Sequence, residues 1–418
     1  MARALPALRR NLDVMPSPVE DRPGLLLRDP LRYTEDVLIV PPPLVPFLGY
    51  FDGAHDEGDL RLALRRATAD GTVEVEGLLR HLEDALGRGF LWNDAFTRLR
   101  EDRQRTFAEA ERREPAHAGS AYPAEPGPLA AALRTFLEGT EAGPEAAGTF
   151  AIAAPHVSPE GGYRSYAAAY NALPPSLADR TFVVLGTSHY GEPERFGLTR
   201  KAFVTPFGET GTDRALVDGL ARAGGEAVRL EDYCHAVEHS IEFQVVFLQH
   251  LYGPAVRVVP ILCGPFARAT YEGGRPEDDE GVRRFLGALA DLAAREGERL
   301  AWVLGVDMAH WGRRYGDPEP ARAGQGEMAV VEQRDRARMA RILEGDAAGF
   351  WDLLQENGDD LKWCGASPFY TFLEAAGPAA GRLLRYEQWN IDDESVVSFA
   401  GLAFRRKPVA GSAPKGDA

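Results

Sequence analysis

Cysteine is scarce in this chain: three in 418 residues, Cys234, Cys263 and Cys364. That excludes a disulfide framework and points to reduced thiols, each serving packing or chemistry. None belongs to a C-x-x-C pair, so no zinc knuckle is implied. Long apolar runs are also missing; nothing approaches the roughly 18–20 residues of a membrane span. The opening "MARALPALRRNLDVMPSPVE" is basic but broken by Pro and Asp, which leaves no signal-peptide core. Positive charge is in deficit, with a net charge of −16. General nucleic-acid binding, which needs a basic face, is therefore not expected. The chain reads as soluble and cytoplasmic, with neither a membrane nor a nucleic acid as partner.

What is present supports a large fold. Hydrophobic residues make up 44 % of the chain, enough for a substantial core, and the length suggests two or three domains. Residues 1–21 read as an N-terminal arm. Over residues 22–92, "GLLLRDP" and "DVLIVPP" predict two short strands. "PLVPFLGYFDG", "EGDLRLALRRAT" and "VEVEGLLRHLEDALGRGFL" predict helices, the last with Val75, Leu78, Leu79, Leu82 and Leu86 near helical spacing. That combination suggests a small α+β, winged-helix-like module. Residues 93–115 contain the charged "NDAFTRLREDRQRTFAEAERRE", read as a solvated connecting helix or linker whose charges carry no function.

From residue 116 to 405 the texture changes. "TFAIAAPH", "RTFVVLGTSH", "VRVVPILCG" and "LAWVLGVDMAH" are short apolar runs separated by helical stretches. Near-continuous apolar strands alternating with helices indicate an α/β domain with a mostly parallel central sheet. Residues 406–418 read as a disordered tail.

Three of the nine histidines follow such strands closely: His156, His189 and His310, the last with Asp307 three residues before it. Ligands of open α/β sheets bind beyond the carboxyl ends of the strands, so these side chains are expected to converge. Asp307 could orient the His310 ring or raise its basicity; alternatively it caps a turn while His310 packs on Trp311. In "CHAVEHSIEFQVVFLQHL", Glu238 and His239 stand near the start of a helix, whose dipole disfavours an imidazolium. A neutral His239 could donate a hydrogen bond to a substrate or to developing anionic charge, or the two residues could merely cap the helix. Cys364, in "LKWCGASPFYTFLEAA", lies just upstream of a helix start at Ser367 and Pro368, a place that can lower a thiol pKa; a buried packing thiol is the alternative. His55, His81 and His117 read as surface or packing residues.

Eight short segments occur in the order "HAGSAYP", "APH", "LGTSH", "TPFG", "EHSIEFQ", "VPILCG", "DMAHWG" and "CGASP". Together they resemble the Memo family, in the prokaryotic branch called AmmeMemoRadiSam system protein B, over roughly Ala116 to Phe404. The resemblance implies the fold of class III extradiol dioxygenases and a metal site from His156, His189 and Cys364, with Asp307 and His310 close by. The ion implied is divalent, Fe(II) first, with Cu or Zn as alternatives. It also implies radical-SAM and Amme-type partners. Two departures bear on specificity: "PHVSPEGGY" stands where the family carries "PHAGY", and Ala121 replaces a Trp before Tyr122. The N-terminal pattern resembles a PqqD-like winged helix, which would take a peptide.

The function expected is that of a metal-dependent, dioxygenase-like redox enzyme. His310 would be its acid/base, oriented by Asp307, and His239 its oxyanion or substrate donor. A non-catalytic peptide- or metal-binding protein built on the same cleft is the alternative. A zinc hydrolase ranks last, because only Glu238 or Glu242 could supply its general base. Met308 is not an axial copper ligand on this reading, since side chains of adjacent residues on an extended segment diverge from Asp307 outward.

Overall fold

The structure, a computed structural model, describes residues 3–67, 74–138 and 148–407. Its contacts divide the chain into two units, 1–109 and 110–418. Most of the tail expected as disordered, 408–418, lies outside the described residues.

In the first unit the two expected strands are Leu25–Arg28 and Val37–Val40, and they pair antiparallel. A third strand, Asp13–Pro16, joins them from the residues expected as an arm. Those residues are built into the core: Leu5 and Leu12 are buried, and the Arg9 guanidinium is held by both oxygens of Asp29 at 2.9 Å and lies 4.0 Å from the centre of the Phe96 ring. The proline-rich stretch expected as a helix is a 3-10 helix, Pro42–Tyr50, because its prolines lack the N–H groups an α-helix uses. Glu57–Ala67 and Val75–Gly87 are α-helices as expected. The charged stretch forms the helix Asp94–Glu109, which buries Phe96 and Phe107.

The second unit is built on a large mixed sheet. Its central strands run in the order Arg257–Cys263, Thr181–Thr187, Leu300–Gly305, Thr149–Ala154, all parallel. Ser395–Arg406 adds antiparallel to Thr149–Ala154, and Ala379–Asp392 pairs with it as a long hairpin. The parallel strands read as unbroken apolar runs because both faces are covered. Ala151, Val183, Ile261 and Trp302 pack to one side, against the helices Glu280–Glu296 and Ala366–Ala375. Ile152, Val184, Val258 and Val303 pack to the other, against Pro159–Tyr170 and Glu242–Tyr252.

The register sets the position of the site. Gly305 lies opposite both Ala154 and Gly186, so three parallel strands end side by side. His156, His189 and Asp307 each stand two residues beyond the end of their own strand. No described helix is long and apolar enough to cross a membrane.

Candidate metal centre

Beyond those strand ends His156 and His189 meet, with ring centres 5.0 Å apart. His239 completes the group, 5.2 Å from His156 and stacked 5.0 Å from His189. One ligand atom from each of the three lies within 4.8 Å of the others. His239 reaches the strands from the turn between Cys234–Val237 and Glu242–Tyr252. That approach depends on Gly305, where a Cβ would stand 2.0 Å from the Ser240 carbonyl oxygen.

Cys364 arrives from the turn before Ala366–Ala375. Its Sγ is 3.3 Å from His156 Nε2, and Thr187 Oγ1 donates to its carbonyl at 3.0 Å. The next residue, Gly365, donates its N–H to the Asp307 carbonyl at 3.0 Å, and a Cβ there would fall 2.6 Å from that oxygen.

The hydrogen bonds decide which ring nitrogens are free. His156 Nδ1 donates to the Gly305 carbonyl at 2.9 Å. His189 Nδ1 and His239 Nδ1 each stand 3.1 Å from the Glu238 carboxylate. With every Nδ1–H directed at an oxygen, Nε2 is the nitrogen each ring offers to a metal; at His189 a divalent ion would displace the Nε2 proton that the Glu238 charge favours. Glu238 also accepts the backbone N–H groups of His189 (3.0 Å), His239 (2.8 Å) and Ser240 (3.2 Å). Burial works against its charge, but the two imidazoles and their hydrogen bonds outweigh it and hold Glu238 well below the usual carboxylate range. Burial likewise opposes an imidazolium at His189; the Glu238 charge outweighs it and holds His189 well above its usual value. His156 is pushed well below its usual value by burial and then by its two neighbouring rings. Burial raises the Cys364 thiol. A cluster of soft and borderline donors, rich in imidazole and with one thiol, suits a divalent transition metal. The His189 and His239 side chains are 26 % and 29 % exposed, whereas His156 is 2 % exposed, so the group opens to solvent on one side.

Asp307 and His310 do not pair. Asp307 faces the other way: its Oδ1 accepts the His156 backbone N–H at 2.9 Å, and its Oδ2 is 3.4 Å from His156 Nε2. His310 opens a separate short strand, His310–Gly312, and its Nδ1 is held by the carbonyls of Met308 (3.0 Å) and Lys362 (3.1 Å). Asp307 therefore neither orients that ring nor makes it more basic. Burial lowers His310 to about 4, and burial raises Asp307 to about 7. His310 is packed edge-on against Tyr315 rather than stacked on Trp311.

The charged stretch before the domain holds one residue that matters here. Arg113 has a fully buried side chain, forms an ion pair with Glu242 and donates to the carbonyls of His235 (2.8 Å) and Glu238 (3.0 Å). Glu242 also accepts the N–H groups of Ala116 and His117 at 3.0 Å and the Tyr122 hydroxyl. This network fastens the "HAGSAYP" segment beneath the "EHSIEFQ" segment. His117, which reads from sequence as a surface or packing residue, stands edge-on to the His239 ring at 5.6 Å and bonds the Val237 carbonyl at 2.8 Å. The role of Glu238 is not legible in the sequence, where its only signal is a carboxylate adjoining a histidine before an apolar helix. The residues that depart from the family pattern have local roles: Ser158 caps Pro159–Tyr170, and the Val157 carbonyl accepts from the Tyr166 hydroxyl at 3.0 Å. Beside His189 and Cys364 a pocket of about 240 Å³ opens, walled by Phe266, Tyr271, Trp351 and Trp363.

Most of the second unit is similar to known proteins. A family model described as Memo-like protein matches residues 113–403, beginning at the buried Arg113. A MEMO1 family protein of Thermococcus kodakarensis is 31 % identical over 310 residues, 70 % of this chain and 99 % of its own. One from Methanosarcina barkeri is 27 % identical over 296 residues, covering 69 % and 98 %. One from Aquifex aeolicus is 27 % identical over 387 residues, covering 91 % and 95 %. That last alignment is longer than the second unit, so it extends into the N-terminal unit, which the family model leaves unassigned.

Proposed function

Because this chain belongs to the Memo-like protein family, we propose that it is a metal-dependent protein of the dioxygenase-like type, with Fe(II) as its ion. The observation that carries this reading is the group His156, His189 and His239, whose Nδ1 atoms are all engaged by oxygens. His156 and His189 are common to both ligand sets the site offers; the third ligand is His239 or the Cys364 thiolate. A bound divalent ion would supply Lewis acidity, and iron would add one-electron chemistry towards O₂. The chain's own groups do the rest. His310 is neutral at physiological pH, and with Nδ1 tied to two carbonyls it can accept a substrate proton only at Nε2. The adjoining aromatic-walled pocket would receive a small substrate at the open side of the cluster. A zinc hydrolase is disfavoured, since Glu238 and Glu242 are both committed to buried donors and neither is free as a base. Work alongside radical-SAM and Amme-type proteins, and peptide binding by the N-terminal unit, belong to the same proposal and rest on resemblance alone.

The test is anaerobic purification with metal quantification of the wild type and the variants His189→Ala, His239→Ala and Cys364→Ala. About one iron per chain, lost in His189→Ala, is the expected result, and whichever of the other two variants also loses it identifies the third ligand. Zinc in place of iron would overturn the redox assignment, and copper would overturn the choice of iron. No metal after reconstitution would leave the cleft a binding site without a catalytic ion.

A further inference from the structure

The strands that end at the metal centre begin at a second pocket, at the opposite ends of the same strands. Gly148, Thr149 and Phe150 start one strand, Arg180 precedes the next, and Leu300 starts the third. Ser395–Arg406 runs antiparallel and finishes there with Arg405 and Arg406. The cavity holds about 430 Å³, within the range of small-molecule sites.

Its charge is out of keeping with the chain. Three guanidinium groups, of Arg180, Arg405 and Arg406, line it with one carboxylate, Glu298, in a protein of net charge −16. No ion pair joins Arg180 or Arg405 to a carboxylate among the described residues. Arg180 Nε is buried without a hydrogen-bond partner among them, a donor whose desolvation is left uncompensated. Arg406 donates to the Gly297 carbonyl at 3.0 Å, and its guanidinium lies 4.3 Å from the centre of the Phe150 ring. Phe150, Leu177 and Leu300 add an apolar wall. Planar guanidinium forks suit an oxyanion, and the apolar wall suits an organic body attached to it.

We propose that this pocket binds a phosphomonoester, with Arg180 and Arg405 taking the phosphate oxygens and the wall around Phe150 taking the organic part. The site is separate from the metal centre and does not depend on the reading given to that centre.

The experiment is calorimetry on the full chain at low salt, with inorganic phosphate, AMP and adenosine as probes. AMP should bind once per chain, more tightly than phosphate, and adenosine should not bind. Arg180→Gln and Arg405→Gln should each weaken AMP by about tenfold or more, the loss expected for one charge-assisted hydrogen bond, with metal content unchanged. Arg405 is exposed, so its variant keeps the test valid should Arg180→Gln fold poorly. Adenosine binding as tightly as AMP would overturn the proposal, as would undiminished AMP binding by Arg405→Gln. Loss of AMP binding in His189→Ala would place the anion at the metal centre and also overturn it.

Discussion

Glu238 meets both His189 Nδ1 and His239 Nδ1 while accepting three backbone N–H groups. Its worth lies in charge as much as in geometry, because each donor points at an acceptor and each ring is left with one usable nitrogen. Glu238→Gln keeps the shape but turns one oxygen into a donor facing donors. Metal affinity, measured by competition with a chromophoric chelator, should fall by roughly 10–100-fold, the usual cost of losing such a partner. His310 offers a different residue-scale measurement. Held by burial at about 4, below the unfolded value of about 6.5, it binds fewer protons when folded. Its contribution to stability is therefore present above pH ~6.5 and lost as pH falls towards ~4, by up to ~3 kcal/mol. Urea unfolding of the metal-free protein across that window should show a steeper loss for the wild type than for His310→Gln. Equal slopes would show that the ring is not desolvated.

At the scale of elements, the parallel strands bring side chains together only because neighbouring backbones can close on their ends. Gly305 shows the requirement. Its missing Cβ would stand 2.0 Å from the Ser240 carbonyl, so Gly305→Ala must push away the turn that carries His239. The expected cost is about 1–3 kcal/mol of stability, with weakened metal binding though no ligand is changed. Gly287 is the counter-case. It lies within the exposed side of Glu280–Glu296 with nothing within 4 Å of a Cβ, so Gly287→Ala should stabilise by about 0.5–1 kcal/mol. Thermal unfolding of the two variants should shift in opposite directions; a shift in the same direction would refute the close-approach argument. The parallel strands were legible in sequence because burial on both faces makes them continuously apolar. The long hairpin Ala379–Asp392 with Ser395–Arg406 is not legible in the sequence, since its first strand is half-buried along most of its length and carries neither an apolar run nor a strict alternation.

At the scale of the whole molecule, relatives such as that of Thermococcus kodakarensis are matched along 99 % of their length by 70 % of this chain. Residues 110–418, which contain the centre and all of residues 113–403, should therefore fold without the N-terminal unit. Expressed alone, that fragment should show cooperative unfolding and the same metal stoichiometry as the full chain. An aggregated or metal-free fragment would show that the first unit is needed for the fold of the second.

The sequence by itself determined the alternation of apolar strands with helices and the placing of His156, His189 and Asp307 just past their strand ends, because strand burial and chain polarity are local matters. Only the tertiary structure decided which way each of these side chains turns and what joins them. Asp307 is adjacent in sequence to the segment of His310 yet serves His156. Arg113, in a stretch that reads as solvated, is buried by a carboxylate more than a hundred residues away. His239 enters the cluster through a turn seated on Gly305. Such pairings depend on distances between residues far apart along the chain, and sheet register, not local composition, sets those distances.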